Sequence, residues 1–294
     1  MNNLQKGIAI VGSTTIDDII LADRQYRKLG GVGSYAGLTY RRHGIPVFVV
    51  SNLARQDINI KAKLTACGIE FFRGDSTRTT HFVNDSHGAG RCQQLTQQAR
   101  PIGVKQVQVI LNRNISLHLG PLHPLDIDPP AYTMLIQTKQ RIFLDVQGLV
   151  RKVVRRQVYP GVSIHLAAAL RAAQIIKANE NEHRTILDHY RLKLSEIMHR
   201  FKIDESVVTL GINGGFVQTR SGDKIEYEAV PAKIQGDPTG AGDVFFAAYI
   251  VNRFFNRMEI PDACSSAARI AARQVEGNYI ADNQLKLVFQ QPLR

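Results

Sequence analysis

The chain has 294 residues, of which 44% are hydrophobic and 21% charged, and a formal net charge of +12 at neutral pH. This composition excludes a disordered polymer, and the longest apolar runs, such as Val244 to Val251, fall far short of the ~20 residues that cross a bilayer. So positive a field draws in phosphates of any kind, but the basic residues are scattered apart from Arg151, Lys152, Arg155 and Arg156, no aromatic-interleaved RNA-binding motif accompanies them, and nucleic acid is not the expected partner.

In chain order, "GIAIVGS" (7–13) is a short apolar run ended by Gly and Ser, the form of a strand buried on both faces of a parallel sheet. A helix is predicted over 34–43 and a strand over 47–51, which together make a first βαβ unit. A helical stretch near 57–66 follows. Further apolar runs at 107–111, 115–120, 141–146, 172–178 and 206–211 read as strands with helical segments between several of them. Strand alternating with helix implies an α/β fold, one mostly parallel sheet covered on both faces, and a single domain over 1–294 is the expectation. Two polar segments, 17–31 and 76–102, break the rhythm and read as hairpins with little core to bury. They are either a small β lid that excludes water or plain surface hairpins. Open edges of such strands could pair between two subunits, giving a homodimer. Cys67, Cys92 and Cys264 are too few and too dispersed for a disulfide framework or a zinc site, and the first residues lack a secretory profile, so a cytoplasmic location with reduced thiols is expected.

The chemistry concentrates in "GDPTGAGDVFFAAYI" (236–250). Gly240, Ala241 and Gly242 precede an acid and then an apolar helical run. Small residues let main-chain N–H groups approach a ligand, and a helix start presents unsatisfied donors with partial positive charge, which together form an anion hole. Asp243 in the first turn would repel a phosphate as a ligand but suits a base that takes a proton from an attacking hydroxyl. Taken alone, the same residues serve equally as a turn and a helix cap. Neither a Gly-x4-Gly-Lys-[Ser/Thr] loop nor a Gly-x-Gly-x-x-Gly fingerprint occurs in the chain.

The segment "DPTGAGDVFFAAYI" closely resembles the C-terminal signature of the ribokinase-like (PfkB) carbohydrate kinases, and further matches follow in the family's order along nearly the whole chain. "VGSTTIDDI" resembles the opening strand whose terminal aspartate, Asp17 in this sequence, holds substrate hydroxyls. "LGGVGSYAGLTYRRHG" resembles the Gly-Gly segment at Gly30 and Gly31, with Tyr35 where sugar-binding relatives often carry asparagine. "KANENE" resembles the Asn-x-x-Glu motif, placing Asn179 by the phosphates and Glu182 by a magnesium ion. "VVTLGINGGFV" resembles the nucleotide-binding strand and turn, with Thr209, Gly211 and Gly214 on the ATP side. "SSAARIAARQVEG" (265–277) resembles the helix beside the adenine pocket. The resemblance implies a three-layer ribokinase-like sandwich with a β lid. It also implies an ATP- and Mg2+-dependent kinase acting on a small-molecule sugar or polyol, with Asp243 as base. A nucleoside is the alternative acceptor, since Tyr35 could stack on a base, and a non-catalytic ligand- or nucleic-acid-binding protein is the alternative outside the kinases. "FLDVQGLVRK" (143–152) places Asp145, Gln147 and Arg151 where a strand ends and a site opens, in a role the resemblance leaves open.

Overall fold

The computed structural model describes residues 7–21, 24–85, 92–113, 115–234 and 236–287. The chain begins with β1 (Ile8–Gly12), the hairpin β2 (Thr15–Ile20) and β3 (Gln25–Gly30), α1 (Val32–Arg42), β4 (Val47–Ala54), α2 (Ile58–Ala66) and β5 (Glu70–Ser76). It continues through β6 (His81–Asp85), β7 (Cys92–Gln97), α3 (Val104–Leu111), β8 (Ser116–Gly120), α4 (Pro129–Leu135), β9 (Ile142–Asp145), β10 (Arg151–Val154) and β11 (Gln157–Pro160). Next come α5 (Leu166–Ala172), β12 (Ile175–Asn179), α6 (Glu180–Tyr190), α7 (Leu194–Phe201), β13 (Glu205–Thr209), β14 (Gly215–Thr219) and β15 (Lys224–Tyr227). The last described elements are α8 (Ala241–Ile250), α9 (Ile260–Val275) and α10 (Asp282–Leu285).

Nine strands form one sheet in the order β15-β14-β13-β12-β9-β8-β1-β4-β5, parallel throughout except where β14 and β15 fold back as antiparallel hairpins. The alternation of side chains along β1 explains the layers. Ile8 and Ile10 enter the core shared with α1, α8 and α9, whereas Ala9 and Val11 enter the opposite core with α3, α4, α5 and α7. Helix α8 is apolar nearly all round, and Val244 to Ile250 are all buried because it lies between α1 and α9 under the sheet. Among the described residues no helix is long and apolar enough to cross a membrane.

The expected strand at 107–111 is a correction: these residues belong to α3, where Val107 and Ile110 are buried one turn apart and the Gln106 carboxamide accepts the Gly103 N–H at 3.1 Å. A short apolar run fits a buried strand and a helical stripe equally well, and here the three-residue spacing prevails.

The two polar segments come together in a second sheet of six strands, β10-β11-β7-β6-β2-β3. It is antiparallel apart from the β2–β6 pair, and the tip of the 76–102 segment, 86–91, lies outside the described residues. Its buried face is small, built on Phe82 and Leu95 against Leu122 from the loop after β8. An ion pair compensates: Arg27 on β3 stands opposite Asp18 on β2, bonding both carboxylate oxygens, and His81 on β6 reaches the same carboxylate at 2.9 Å. Burial would raise the Asp18 carboxyl, but Arg27 and His81 outweigh it and hold it down at about 2.

The ends of β1 and β8 are pinched. Gly12 and Gly120 pair in register, and a Cβ at Gly120 would lie 2.5 Å from a Val32 methyl, so the start of α1 packs directly on the strand ends. Gly120→Ala should therefore lower the unfolding free energy by about 1–3 kcal/mol in urea titrations. Wild-type stability in this variant would show that the contact yields without cost.

Candidate active site

The carboxyl ends of the parallel strands open into a cavity of ≈ 460 Å³. It is lined from both sheets. Asp17 and Phe82 come from the second sheet, Lys177, Asn179 and Thr209 from β12 and β13, and Gly240, Gly242 and Asp243 from the mouth of α8. This is the position where open α/β sheets gather helix N-termini and ligands.

The entry to α8 is set by Gly240, which takes the left-handed conformation (φ 83°, ψ −5°) at the N-cap. A Cβ there would fall 2.4 Å from the Tyr35 ring, so glycine is required both by conformation and by close approach. The Ala241 N–H donates back to Pro238 O at 3.1 Å, and the Val244 N–H begins the helical series on Gly240 O at 2.9 Å. The N–H groups of Gly242 and Asp243 have no acceptor one turn back within the helix. The donors available at this mouth are therefore those of 242 and 243, and Ala241 spends its own in the turn and does not line the cavity.

Asp243 is half-buried on the cavity wall. Loss of water pushes its carboxyl up to about 7, and Asp145 and Asp17 push the same way against Lys177 and Arg151. Behind it, Lys177 and Asp145 form a buried pair at 2.9 Å from adjacent strands, and a Cβ on Gly242 would stand 3.3 Å from the Lys177 ammonium. Burial works against the Lys177 charge, but Asp145 and Glu182 outweigh it and hold the proton on more firmly than on an ordinary lysine. Lys177 was not anticipated from sequence. The available signal was a lysine inside the apolar strand "IIKAN", where an unpaired charge has no place.

Asp17 lies in the lining, but not at the end of the opening strand as expected. The chain leaves β1 at Gly12 and starts the separate strand β2 at Thr15, so Asp17 belongs to the second sheet. Its Oδ1 accepts from the Thr15 hydroxyl at 2.6 Å. Gly30 gives it room, since a Cβ there would sit 2.3 Å from Asp17 Oδ2. Gly31, at φ 79°, makes the turn into α1 and also lines the cavity. Tyr35 is only 1% exposed, its ring is taken up against Gly240, and its hydroxyl has no hydrogen-bond partner.

Asn179 and Glu182 form a reciprocal cap on α6: Glu182 N–H donates to Asn179 Oδ1 at 2.9 Å and Asn179 N–H to Glu182 Oε2 at 2.8 Å. Asn179 lines the cavity with Glu180 and Asn181, while Glu182 is buried behind them. Its Oε1 has no hydrogen-bond partner, and burial raises its carboxyl against the pull of Lys177. Among the described residues no three His, Cys, Asp or Glu side chains gather to hold a metal by themselves. Glu182, with its buried and unpartnered Oε1 behind Asn179, is the acid here that could serve a magnesium ion brought in with phosphates. Thr209 and Gly211 reach the lining at the end of β13. Gly214 does not: it packs on β15, where a Cβ would meet Tyr227 O at 2.1 Å.

The second sheet is tied to this mouth. Lys28 on β3 makes a close ion pair with Asp237, and the Tyr26 hydroxyl donates to the same carboxylate at 2.9 Å. Asp237 in turn accepts the Thr239 N–H at 2.9 Å, one residue before Gly240.

A model of the pfkB family carbohydrate kinases matches residues 85–283. The chain belongs to this family. Among curated protein sequences none matches it. Its fold is that of the ribokinases, as three solved structures show. One is a pyrophosphate-dependent kinase in the ribokinase family, complexed with a pyrophosphate analogue and myo-inositol, at 20% identity and TM-score 0.79 over 92% of this chain and 95% of that one. A nucleoside kinase of Burkholderia thailandensis with inosine aligns at 16% identity and TM-score 0.75 over 95% of each chain. The ribokinase of Arabidopsis thaliana with ribose and ATP aligns at 17% and 0.69 over 96% of each.

The raised Asp243 carboxyl has a consequence for stability. Its folded value lies above the ~3.9 of an unfolded aspartate, so the folded chain holds the proton more tightly and loses stability as pH rises from about 4 through about 7. Asp243→Asn should be more stable than wild type by about 1–3 kcal/mol at pH 8 and should lose that margin near pH 4, measured by urea unfolding at both values. A margin independent of pH would contradict the raised value.

Proposed function

We propose that this pfkB-family chain transfers the γ-phosphoryl group of ATP to a hydroxyl of a sugar or sugar-like polyol. The observation that carries the reading is the convergence of three features in one cavity: an acid poised near neutrality, the open first turn of α8, and a second acid on the covering sheet. Asp17 accepts hydrogen bonds from acceptor hydroxyls, and Gly30 and Gly31 keep the backbone clear beside it. Asp243 takes the proton of the attacking hydroxyl. The acceptor oxygen forms a bond to the γ-phosphorus while the bond to the bridging oxygen breaks, and its electron pair leaves with ADP. The Gly242 and Asp243 amides, positioned by Gly240 and Ala241, neutralise charge on the moving group. Thr209, Gly211 and Asn179 line the donor end, and Gly214 shapes the turn that carries Gly211. Glu182 would help to hold a magnesium ion that arrives with the donor, and such an ion would supply charge neutralisation at the phosphates.

The second sheet serves as the cover of the acceptor end, contributing Asp17, Phe82 and Gln93 to the cavity. With Gln147, these give the acceptor end several hydrogen-bonding groups and little apolar wall, which suits a polyol. The nucleoside reading loses its stacking platform, because the Tyr35 ring is already packed against Gly240. A non-catalytic binder would have no use for an acid held near neutrality beside an anion hole.

Ribose, myo-inositol and inosine, each offered with ATP and with pyrophosphate, form the test panel for turnover. Turnover of at least one sugar or polyol is expected. kcat/KM should fall below about pH 7 as Asp243 takes up a proton, and Asp243→Asn should lower kcat by about 10³-fold with the affinity for an ATP analogue within about threefold of wild type. Near-normal turnover by that variant would remove Asp243 as the base.

A further inference from the structure

Lys28 stands in β3 directly opposite Asp17 of β2, and Lys286 bridges to it from the other side, so its backbone is held on both flanks. Its side chain is buried and passes over the Tyr35 ring, with the ammonium 5.5 Å from the ring centre, to close on Asp237 Oδ2. The Tyr26 hydroxyl donates to the same oxygen at 2.9 Å, while Oδ1 accepts the Thr239 N–H at 2.9 Å. Asp237 thus divides its carboxylate: one oxygen folds the loop into α8 from within, and the other is gripped from the covering sheet. An aspartate bonded to the backbone two residues on fixes a turn only while its carboxylate keeps its orientation. Burial would raise the Asp237 carboxyl, but Lys28 and then Thr239 outweigh it and hold it down at about 2.

The pair lies behind the reaction cavity. Thr239 and Gly240 line that cavity, whereas Lys28 and Asp237 do not. They line, with Tyr26, a second cavity of ≈ 660 Å³. Any effect of Lys28 on the reaction therefore passes through the groups it touches, and both lead to Gly240. Asp237 holds the N–H of Thr239, one residue before it, and the Tyr35 ring is the surface that a Cβ on Gly240 would strike at 2.4 Å. Removal of the ammonium leaves a largely buried carboxylate uncompensated, and such a group turns toward water at the expense of its other bonds.

We propose that Lys28 is a positioning residue for phosphoryl transfer: through Asp237 it fixes the loop into α8, so that the Gly242 and Asp243 amides and the Asp243 carboxyl keep their places at the moving group. This deepens the phosphotransferase reading and rests on it. Lys28 gives up no proton and touches neither acceptor nor donor. The cross-strand pair of Asp17 and Lys28 sends one side chain to the acceptor end and the other to the loop, so the covering sheet sets both halves of the site as one piece. Misplacement of reacting groups by about 1 Å costs on the order of 100-fold in rate, which makes such a remote contact visible in kcat.

The test is steady-state kinetics of wild type, Lys28→Ala, Lys28→Gln, Asp237→Asn and the Lys28→Ala/Asp237→Asn double variant, with ATP or pyrophosphate and each of ribose, myo-inositol and inosine. Lys28→Ala should lose about tenfold or more in kcat with acceptor KM within about threefold. Methylammonium, which enters through the second cavity and can donate to Asp237, should restore part of that loss, and tetramethylammonium at equal concentration should not. The double variant should lose no more than the worse single one, because both substitutions break one contact. Lys28→Gln keeps the length of the side chain without its charge; it should lose about fivefold or more in kcat, and it carries the test if the alanine variant does not fold. Retention of kcat within about threefold in the Lys28 variants, a loss confined to acceptor KM, losses that multiply in the double variant, or an equal response to both amines overturns the proposal and leaves the kinase reading standing. No turnover by the wild type on any acceptor overturns that reading and the proposal with it.

Discussion

The site depends on one backbone constraint. Gly240 must take a left-handed conformation against the Tyr35 ring, and only then does α8 begin with its free amides and Asp243 facing the same space. A helix start elsewhere in the chain would supply donors without the acid. An acid elsewhere would lack the donors that make its neighbour electrophilic. Tyr35 therefore acts as the fixed wall against which the loop is folded, and the Lys28–Asp237 pair anchors the same loop from the covering sheet.

The floor of the cavity shows how carboxylates of different function coexist within a small volume. Asp145 is neutralised by Lys177 and serves structure, Glu182 spends one oxygen on the cap of α6, and Asp243 is left with the least compensation. Desolvation raises the carboxyls of both Glu182 and Asp243, and Asp243, on the cavity wall, is the one to which the proposed reaction gives the acceptor's proton. The difference follows from which strand supplies a cation: β12 delivers Lys177 beside Asp145 in register, and among the described residues no lysine forms an ion pair with Asp243.

Strands buried on both faces, such as β1 and the first half of β4, announced themselves as continuous apolar runs, because parallel strands between two helical layers expose no polar face. The stretch at 107–111 did not, since four apolar residues around Gln108 carry no length signal to separate strand from helix. The small residues before Asp243 mark a close backbone approach in the sequence, yet the use of the Ala241 amide in a turn was not legible there, because a hydrogen bond to Pro238 depends on the loop's path. Lys177 and the placing of Asp17 on the second sheet were hidden for a related reason. Sequence gives the spacing of groups along one strand, whereas charge pairing and sheet membership are decided between strands far apart in the chain.

The central claim is that the α8 mouth neutralises the phosphoryl group while Asp243 receives the acceptor's proton. A crystal structure with ADP, magnesium, tetrafluoroaluminate and the preferred acceptor tests it most directly. The account predicts the planar anion on the Gly242 and Asp243 amides, with an acceptor hydroxyl about 2.6–3.2 Å from the Asp243 carboxylate. An anion bound away from those amides, or an acceptor hydroxyl out of reach of Asp243, would contradict it.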